Sequence, residues 1–342
     1  MNADVRTPIV PANFFGIVLG VIGLGNAWRL AHQVWGLRPA IGEVIELIGT
    51  LVWLVLVTLY VFKWIFARAR AIDELHHPVQ CCFVGLIGVS TMVVAGAANP
   101  YSHTVAVALL AVGSVYTIAF GAWRTGGLWQ GGREIGHTTA VLYLPTVAGA
   151  FVAAAVLAAL GYADWGQLAF GAGLFSWIAL ESVLVHRLFT ADALPPVLRP
   201  TLGIQLAPPA VGAVSYLAVA PVAPGAPDLF AHALLGYALL QLLILSRMLP
   251  WIRQQPFGAS YWAFTFGISA LAIAPLRMIQ RGETGPAALL APWLFVLANV
   301  VIGAVAAGTI YLLLRGRLIP ATPAATSPSS TPSAAPKTEP TA

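Results

Sequence analysis

Apolar residues fall into ten blocks along this chain, and polar residues are largely confined to the links between them. The blocks cover residues 14–35, 43–62, 79–98, 104–123, 141–160, 165–186, 202–220, 229–249, 260–278 and 287–314. A helix rises about 1.5 Å per residue, so about 20 apolar residues cross the hydrocarbon core of a bilayer. The pattern predicts ten membrane-spanning helices. The last block is long enough to tilt or to run past the membrane. Links 99–103 and 161–164 leave room only for antiparallel neighbours, so the spans pair as five helical hairpins.

Glycine and proline divide the odd spans from the even ones. Span one holds Gly16, Gly20, Gly23 and Gly25; span three follows Pro78 and holds Gly85, Gly88 and Gly96. Span five has Pro145 and Gly149, span seven Gly203, Pro208, Pro209 and Gly212, and span nine Gly267 and Pro275. The segments FFGIVLG, FVGLIGVS, YLPTVAG, IQLAPPAVG and FTFGISA echo one another, and their markers Gly16, Gly85, Pro145, Pro208 and Gly267 recur every 59–69 residues. One hairpin per repeat predicts a fivefold array. Proline frees a carbonyl and glycine removes a side chain, and unpaired backbone at membrane depth is tolerated only where protein or water satisfies it. Five broken odd helices around an axis would line a conduit; close helix packing, for which glycine is also enriched, is the other reading.

Span nine, SYWAFTFGISALAIAPLRM, is the most informative. Phe264 and Phe266 bracket Thr265 and point to opposite faces of a helix. Phe266 falls within about a turn of mid-span. It reads either as a plug on an internal conduit or as ordinary aromatic packing.

Composition narrows the class. The chain is 59% hydrophobic and 8% charged, against about 25% charged in soluble domains, which makes it a polytopic membrane protein. The net charge of +5 is a topology signal and not a nucleic-acid footprint. Of 17 Lys and Arg residues, 13 lie in the links after even spans or at the termini; Arg29, Arg38, Arg277 and Arg281 lie at the other side. By the positive-inside rule both termini are expected in the cytoplasm. Residues 1–319 read as one membrane domain, and 320–342, rich in Pro, Ser, Thr and Ala, as a disordered tail. The two cysteines, Cys81 and Cys82, are adjacent and imply no disulfide framework. No cleavable signal peptide is evident.

Catalytic chemistry is hard to assemble. No G-x-S-x-G or H-E-x-x-H motif occurs, LWQGG lacks the Lys-Ser/Thr of a phosphate loop, and the histidines form no i, i+4 pair within a span. The expectation is no enzyme, no cofactor and no metal, with His76-His77 before Pro78 acting as a cap. Glu46 is expected at the interface near the outer end of span two. Glu181, deeper in span six, is read either as a proton-coupling site or as the partner of Arg187 or another arginine at that end. Arg277 either snorkels or raises the local potential for an anion.

Together the motifs NFFGIVLG, HHPV, LWQGG, YLP, FGAG, GIQLAPPAV, GYALLQL, RMLPW and WAFTFG, spread over residues 10–315, resemble the tellurite-resistance/dicarboxylate transporter family, which includes bacterial tellurite-resistance channels and is related to plant slow anion channels. The resemblance implies an all-α integral membrane protein of ten helices, five hairpins in quasi-fivefold array around a central pore. It implies a homotrimer in the inner membrane passing small inorganic or organic anions, with the pore lined by the kinked odd helices and closed by Phe266. The relatives have Glu-Pro where this chain has Glu181-Ser182. The family also includes proton-coupled members, so a secondary transporter of C4-dicarboxylates, sulfite or tellurite is the alternative, and a membrane-embedded enzyme or redox protein the third.

Overall fold

A computed structural model describes residues 10–221 and 227–319. The expected tail, 320–342, lies outside the described residues. Ten helices long and apolar enough to cross a membrane are present among them: α1 (Ala12–Trp35), α2 (Pro39–Phe66), α3 (Cys81–Ala98), α4 (His103–Trp129), α5 (Ala140–Ala159), α6 (Ala163–Thr190), α7 (Pro196–Val219), α8 (Leu229–Ile252), α9 (Ala259–Gln280) and α10 (Pro286–Leu314). The chain is a multi-pass membrane protein. Five antiparallel hairpins form from consecutive pairs.

The odd helices pack in a closed ring. α1 touches α3, α3 touches α5, α5 touches α7, α7 touches α9, and α9 returns to α1. Each even helix lies outside, against its hairpin partner and the next odd helix; α10 closes the circle on α1. Burial follows from this layering. In the most apolar stretch of each odd helix 61–78% of residues are buried, against 22–33% in the even helices. The even helices turn residues such as Leu47, Leu51, Leu54, Val112, Val115 and Phe175 outward. Apolar side chains facing out from a span are stable only against lipid.

Every odd helix changes its winding in its first half, on the side of the termini. α1 starts as a 3-10 turn over Ala12–Phe14. α3 is interrupted at Gly85 between Cys81–Val84 and Leu86–Ala98. α5 passes from a 3-10 turn through a π-helical stretch, Leu144–Ala148, where Pro145 donates no hydrogen bond. α7 is 3-10 over Pro196–Leu206 and α-helical from Ala207, so Pro208 and Pro209 fall in the first α-turn, where a missing N–H breaks nothing. α9 is 3-10 over Ala259–Phe264 and α-helical from Thr265. Pro275 lies inside its continuous part.

The structure departs from the sequence reading at three places. The even helices overrun their apolar blocks: α2, α4 and α6 have 28, 27 and 28 residues. α4 continues through Gly126 and Gly127 to Trp129, shortening the glycine-rich link; the chain turns only at Gly131 and Gly132, whose φ angles are 85° and 75°. The link after α2 holds a further helix, Arg68–His76. Glu46, expected at the interface near the outer end of span two, is buried (2% exposed) against α1, with Gly25 giving it room.

Candidate functional site

Three cavities follow one another inside the ring. The first, about 680 Å³, opens at the end carrying the termini and is lined by Asp73, Glu74, His77, Gln80, Gln255 and Arg317 among others. The second holds only about 50 Å³ and is almost wholly apolar. The third, about 360 Å³, lies toward the other end and is lined by Asn26, Arg29, Gln33, Asn99, Arg277 and Gln280 among others. Asn13, Phe83, Ala259 and Ser260 belong to both the first and the second. Only Phe266 and Val211 belong to both the second and the third.

The narrow cavity sits where the five helices change winding. Its wall takes Gly16 from α1, Leu86 from α3, Val147 from α5, Pro208 from α7 and Ala263 from α9. A water needs roughly 10–15 Å³ of such volume, so 50 Å³ admits only a few molecules. The constriction is therefore short, greasy and nearly dry.

Local packing directs Phe266 inward. Thr265 before it is fully buried against α1: a Cβ at Gly20 would lie 2.1 Å from Thr265 Oγ1. Gly267 after it lies against α7, where a Cβ would come 2.9 Å from the Ala207 nitrogen. With its two neighbours committed to the adjacent helices, residue 266 faces the axis. Phe264 goes the other way, over Gly203 and beside Tyr261. Because backbone and not a flexible side chain blocks position 267, Gly267→Ala is expected to destabilise the protein by about 1–3 kcal/mol, read as a lowered unfolding temperature in detergent. An unchanged temperature would mean that α7 and α9 are not held at this distance.

The other residues singled out from sequence are divided among different places. Gly16 and Pro208 line the narrow cavity. Gly20, Gly88 and Gly267 lie at close helix contacts; a Cβ at Gly88 would meet Thr117 Oγ1 at 2.3 Å. Pro145 and Gly149 border a groove of about 560 Å³ on the outer side, between α4, α5 and α6. Gly85 and Pro209 mark winding changes, and Pro275 is buried within α9.

Glu181 has no arginine partner among the described residues. It accepts hydrogen bonds from Tyr143 Oη, from Trp177 Nε1 at 3.0 Å and from Tyr237 Oη at 2.6 Å, tying α5, α6 and α8 together. It lines none of the three cavities. At the first cavity, His77 Nδ1 accepts from the backbone nitrogens of Val79 and Gln80, both at 3.1 Å, and so caps the turn into α3. Burial and the nearby His137 hold its pKa below the ordinary imidazole value, which suits an acceptor nitrogen.

Charge in the third cavity is one-sided. Arg29 is clamped by Glu43, through Nε at 2.9 Å and Nη2 at 2.6 Å, and also donates to the Ala97 carbonyl. Arg277 makes no hydrogen bond or ion pair among the described residues, and its Nε is buried without an acceptor. No carboxylate belongs to the wall of this cavity. Sequence reasoning noted Arg277 but passed over Asn26, Gln33 and Val211. The signal for the polar pair was a three-to-four-residue spacing, Asn26–Arg29–Gln33, which puts all three on one face of α1.

Known proteins bear on this geometry. The sequence profile of the SLAC1 family, described as voltage-dependent anion channel, matches residues 10–310. A tellurite resistance protein TehA homolog of Haemophilus influenzae is 35% identical over 320 residues, covering 93% of this chain and 94% of the relative. The S-type anion channel SLAH3 of Arabidopsis thaliana is 23% identical over 316 residues, 88% of this chain. The guard cell S-type anion channel SLAC1 of the same plant is 23% identical over 299 residues, 82% of this chain. The chain spans about half the length of these plant channels, 48% and 52% respectively.

Proposed function

The chain belongs to the SLAC1 family of voltage-dependent anion channels, and from that premise we propose that small inorganic or organic anions pass along the axis of its odd-helix ring, through the three cavities, with Phe266 as the gate. The observation that carries this reading is that two wide cavities, each with charged and polar side chains in its wall, are separated by a narrow one without charged residues whose far limit is set by Phe266 and Val211. An apolar constriction that size shuts by dewetting, while wide vestibules let an ion keep its water until the last step. The absence of charged side chains from the constriction wall favours conduction over tight binding, since an ion must leave as readily as it enters. The protein acts as a transport protein and not as an enzyme. Residues 1–319 form the transport domain.

The basic residues at the end carrying the termini support an inner-membrane orientation with both termini cytoplasmic, so the third cavity faces outward. A homotrimer is the assembly the motif resemblance supports. The Haemophilus relative is named for tellurite resistance, and a part in that phenotype is proposed here too.

Anion flux in proteoliposomes, with and without a pH gradient, tests the reading. Electrogenic flux that ignores the gradient is expected. Flux that saturates and follows protons would overturn it in favour of a secondary transporter. Glu181 separates the two further. Held by three donors away from the cavities, it acts as a brace between helices. Glu181→Gln is expected to leave the pH dependence of flux unchanged and to lower the unfolding temperature. A flattened pH profile with unchanged stability would make it a proton carrier.

A further inference from the structure

Arg277 is a cation that no described residue neutralises. On α9 the residues facing the third cavity are Phe266, Ser269, Ala270, Ile273, Arg277 and Gln280, a spacing of three and four that marks one helix face. Arg277 stands eleven residues beyond Phe266, or about 16 Å along the axis. The neighbouring cations are occupied. Arg29 is held by Glu43, with Glu46 at 3.8 Å, and Arg281 donates to the carbonyls of Leu217, Ala220 and Pro221 at the end of α7. Among the described residues Arg277 has neither a carboxylate nor a carbonyl as partner, and its Nε is buried without an acceptor.

An uncompensated charge inside a protein is costly, and it persists where something else supplies the opposite sign. The cavity offers further donors. Gln280 and Gln33 are joined across α9 and α1. Asn26, three residues before Arg29 on α1, makes no side-chain hydrogen bond among the described residues and belongs to the wall of the same cavity. A guanidinium presents parallel N–H groups that match two oxygens of one anion, whereas a halide accepts at a single point.

Resting on the reading that anions traverse this ring, we propose that Arg277, assisted by Asn26, forms an oxyanion-binding site in the third cavity, where singly charged anions with two or more oxygens are held before the constriction. Its energy comes from charge-assisted hydrogen bonds, each sufficient to shift affinity by about tenfold. The site lies ahead of the gate, so it is filled whether or not Phe266 yields.

Binding and flux are read separately. In purified wild-type protein, nitrate is expected to raise the unfolding temperature saturably at constant ionic strength, more than chloride does. Arg277→Gln should weaken this nitrate response about tenfold. Arg277→Lys, which keeps the charge and loses the fork, should make nitrate and chloride equal, and Asn26→Ala should weaken nitrate less than Arg277→Gln. In liposomes, each change is placed beside Phe266→Ala, and the ratio of nitrate to chloride flux is compared. No saturable nitrate response in the wild type, or one that Arg277→Gln leaves unaltered, overturns the site. Arg277-dependent binding without flux in any variant keeps the site and removes the conduction reading. Flux through Phe266→Ala with a nitrate preference indifferent to residue 277 does the reverse.

Discussion

Phe266→Ala is expected to convert a nearly closed protein into one that passes anions at least about tenfold faster. The barrier is steric and electrostatic. The cavity on one side of the ring holds about 50 Å³, and Phe266 is one of only two residues bordering both it and the wider cavity beyond. A small anion reaching an apolar wall with so little room must shed water without receiving a ligand in exchange, at a cost of several kcal/mol. Each 1.4 kcal/mol taken from that barrier multiplies the rate about tenfold. Truncation to alanine joins the two cavities, so an ion can cross with more of its hydration intact. The check is electrogenic flux of wild type and variant at matched protein density. Val211→Ala, at the same boundary but smaller, should raise flux less. Equal flux in wild type and Phe266→Ala would place the barrier elsewhere.

The largest loss of stability is expected from Glu74→Ala. Glu74 lies on the helix Arg68–His76 and receives Lys63 Nζ at 2.6 Å, Tyr60 Oη at 3.1 Å and the Ala12 backbone nitrogen at 2.8 Å. The pair is almost fully enclosed, with side-chain exposures of 4% for Lys63 and 9% for Glu74. Removing the carboxylate leaves a buried ammonium with only the Val10 carbonyl and the Tyr60 ring beside it among the described residues and takes the acceptor from the first turn of α1. Breaking a buried pair in this way costs about 3–5 kcal/mol. Replacing both partners by apolar residues, Lys63→Met with Glu74→Leu, should recover most of that, because neither charge is then stranded. Thermal unfolding of the two variants in detergent checks the pair. A double variant as unstable as Glu74→Ala would assign the loss to packing instead of charge.

Much of the architecture was legible in the chain because its signals are coarse and local. Twenty-residue apolar blocks mark spans without any knowledge of partners, and the hairpins follow from short links. The alternation of odd and even spans was legible because proline and glycine act on the backbone where they stand, as at Gly85, Pro145 and Pro208. Helical angle put Phe264 and Phe266 on opposite faces but did not say which of them turns inward. What remained hidden depends on side chains meeting from distant segments. Glu181 finds Tyr143 and Tyr237 on two other helices. The expected partner Arg187, six residues on, stands about 240° round the helix and is itself buried. Glu46 likewise fills the room that Gly25 leaves on α1, a contact its place near the end of an apolar block did not announce. The continuation of α4 through Gly126 and Gly127 was also invisible, since helix length past the bilayer is not recorded in hydropathy.

The separation of the inner cavities at Phe266 is tested most directly by accessibility. In a Cys81→Ser/Cys82→Ser background, cysteines replace Ala259, where the first cavity meets the narrow one, and Ala270, on the wall of the third. A small, charged, membrane-impermeant thiol reagent is then applied to one face of oriented vesicles at a time. With Phe266 present, Ala259→Cys should react only from the side of the termini and Ala270→Cys only from the opposite side; with Phe266→Ala, each should react from both. Reaction of either cysteine from both sides while Phe266 is intact, or a pattern that Phe266→Ala leaves unchanged, would contradict a single conduit closed at this residue.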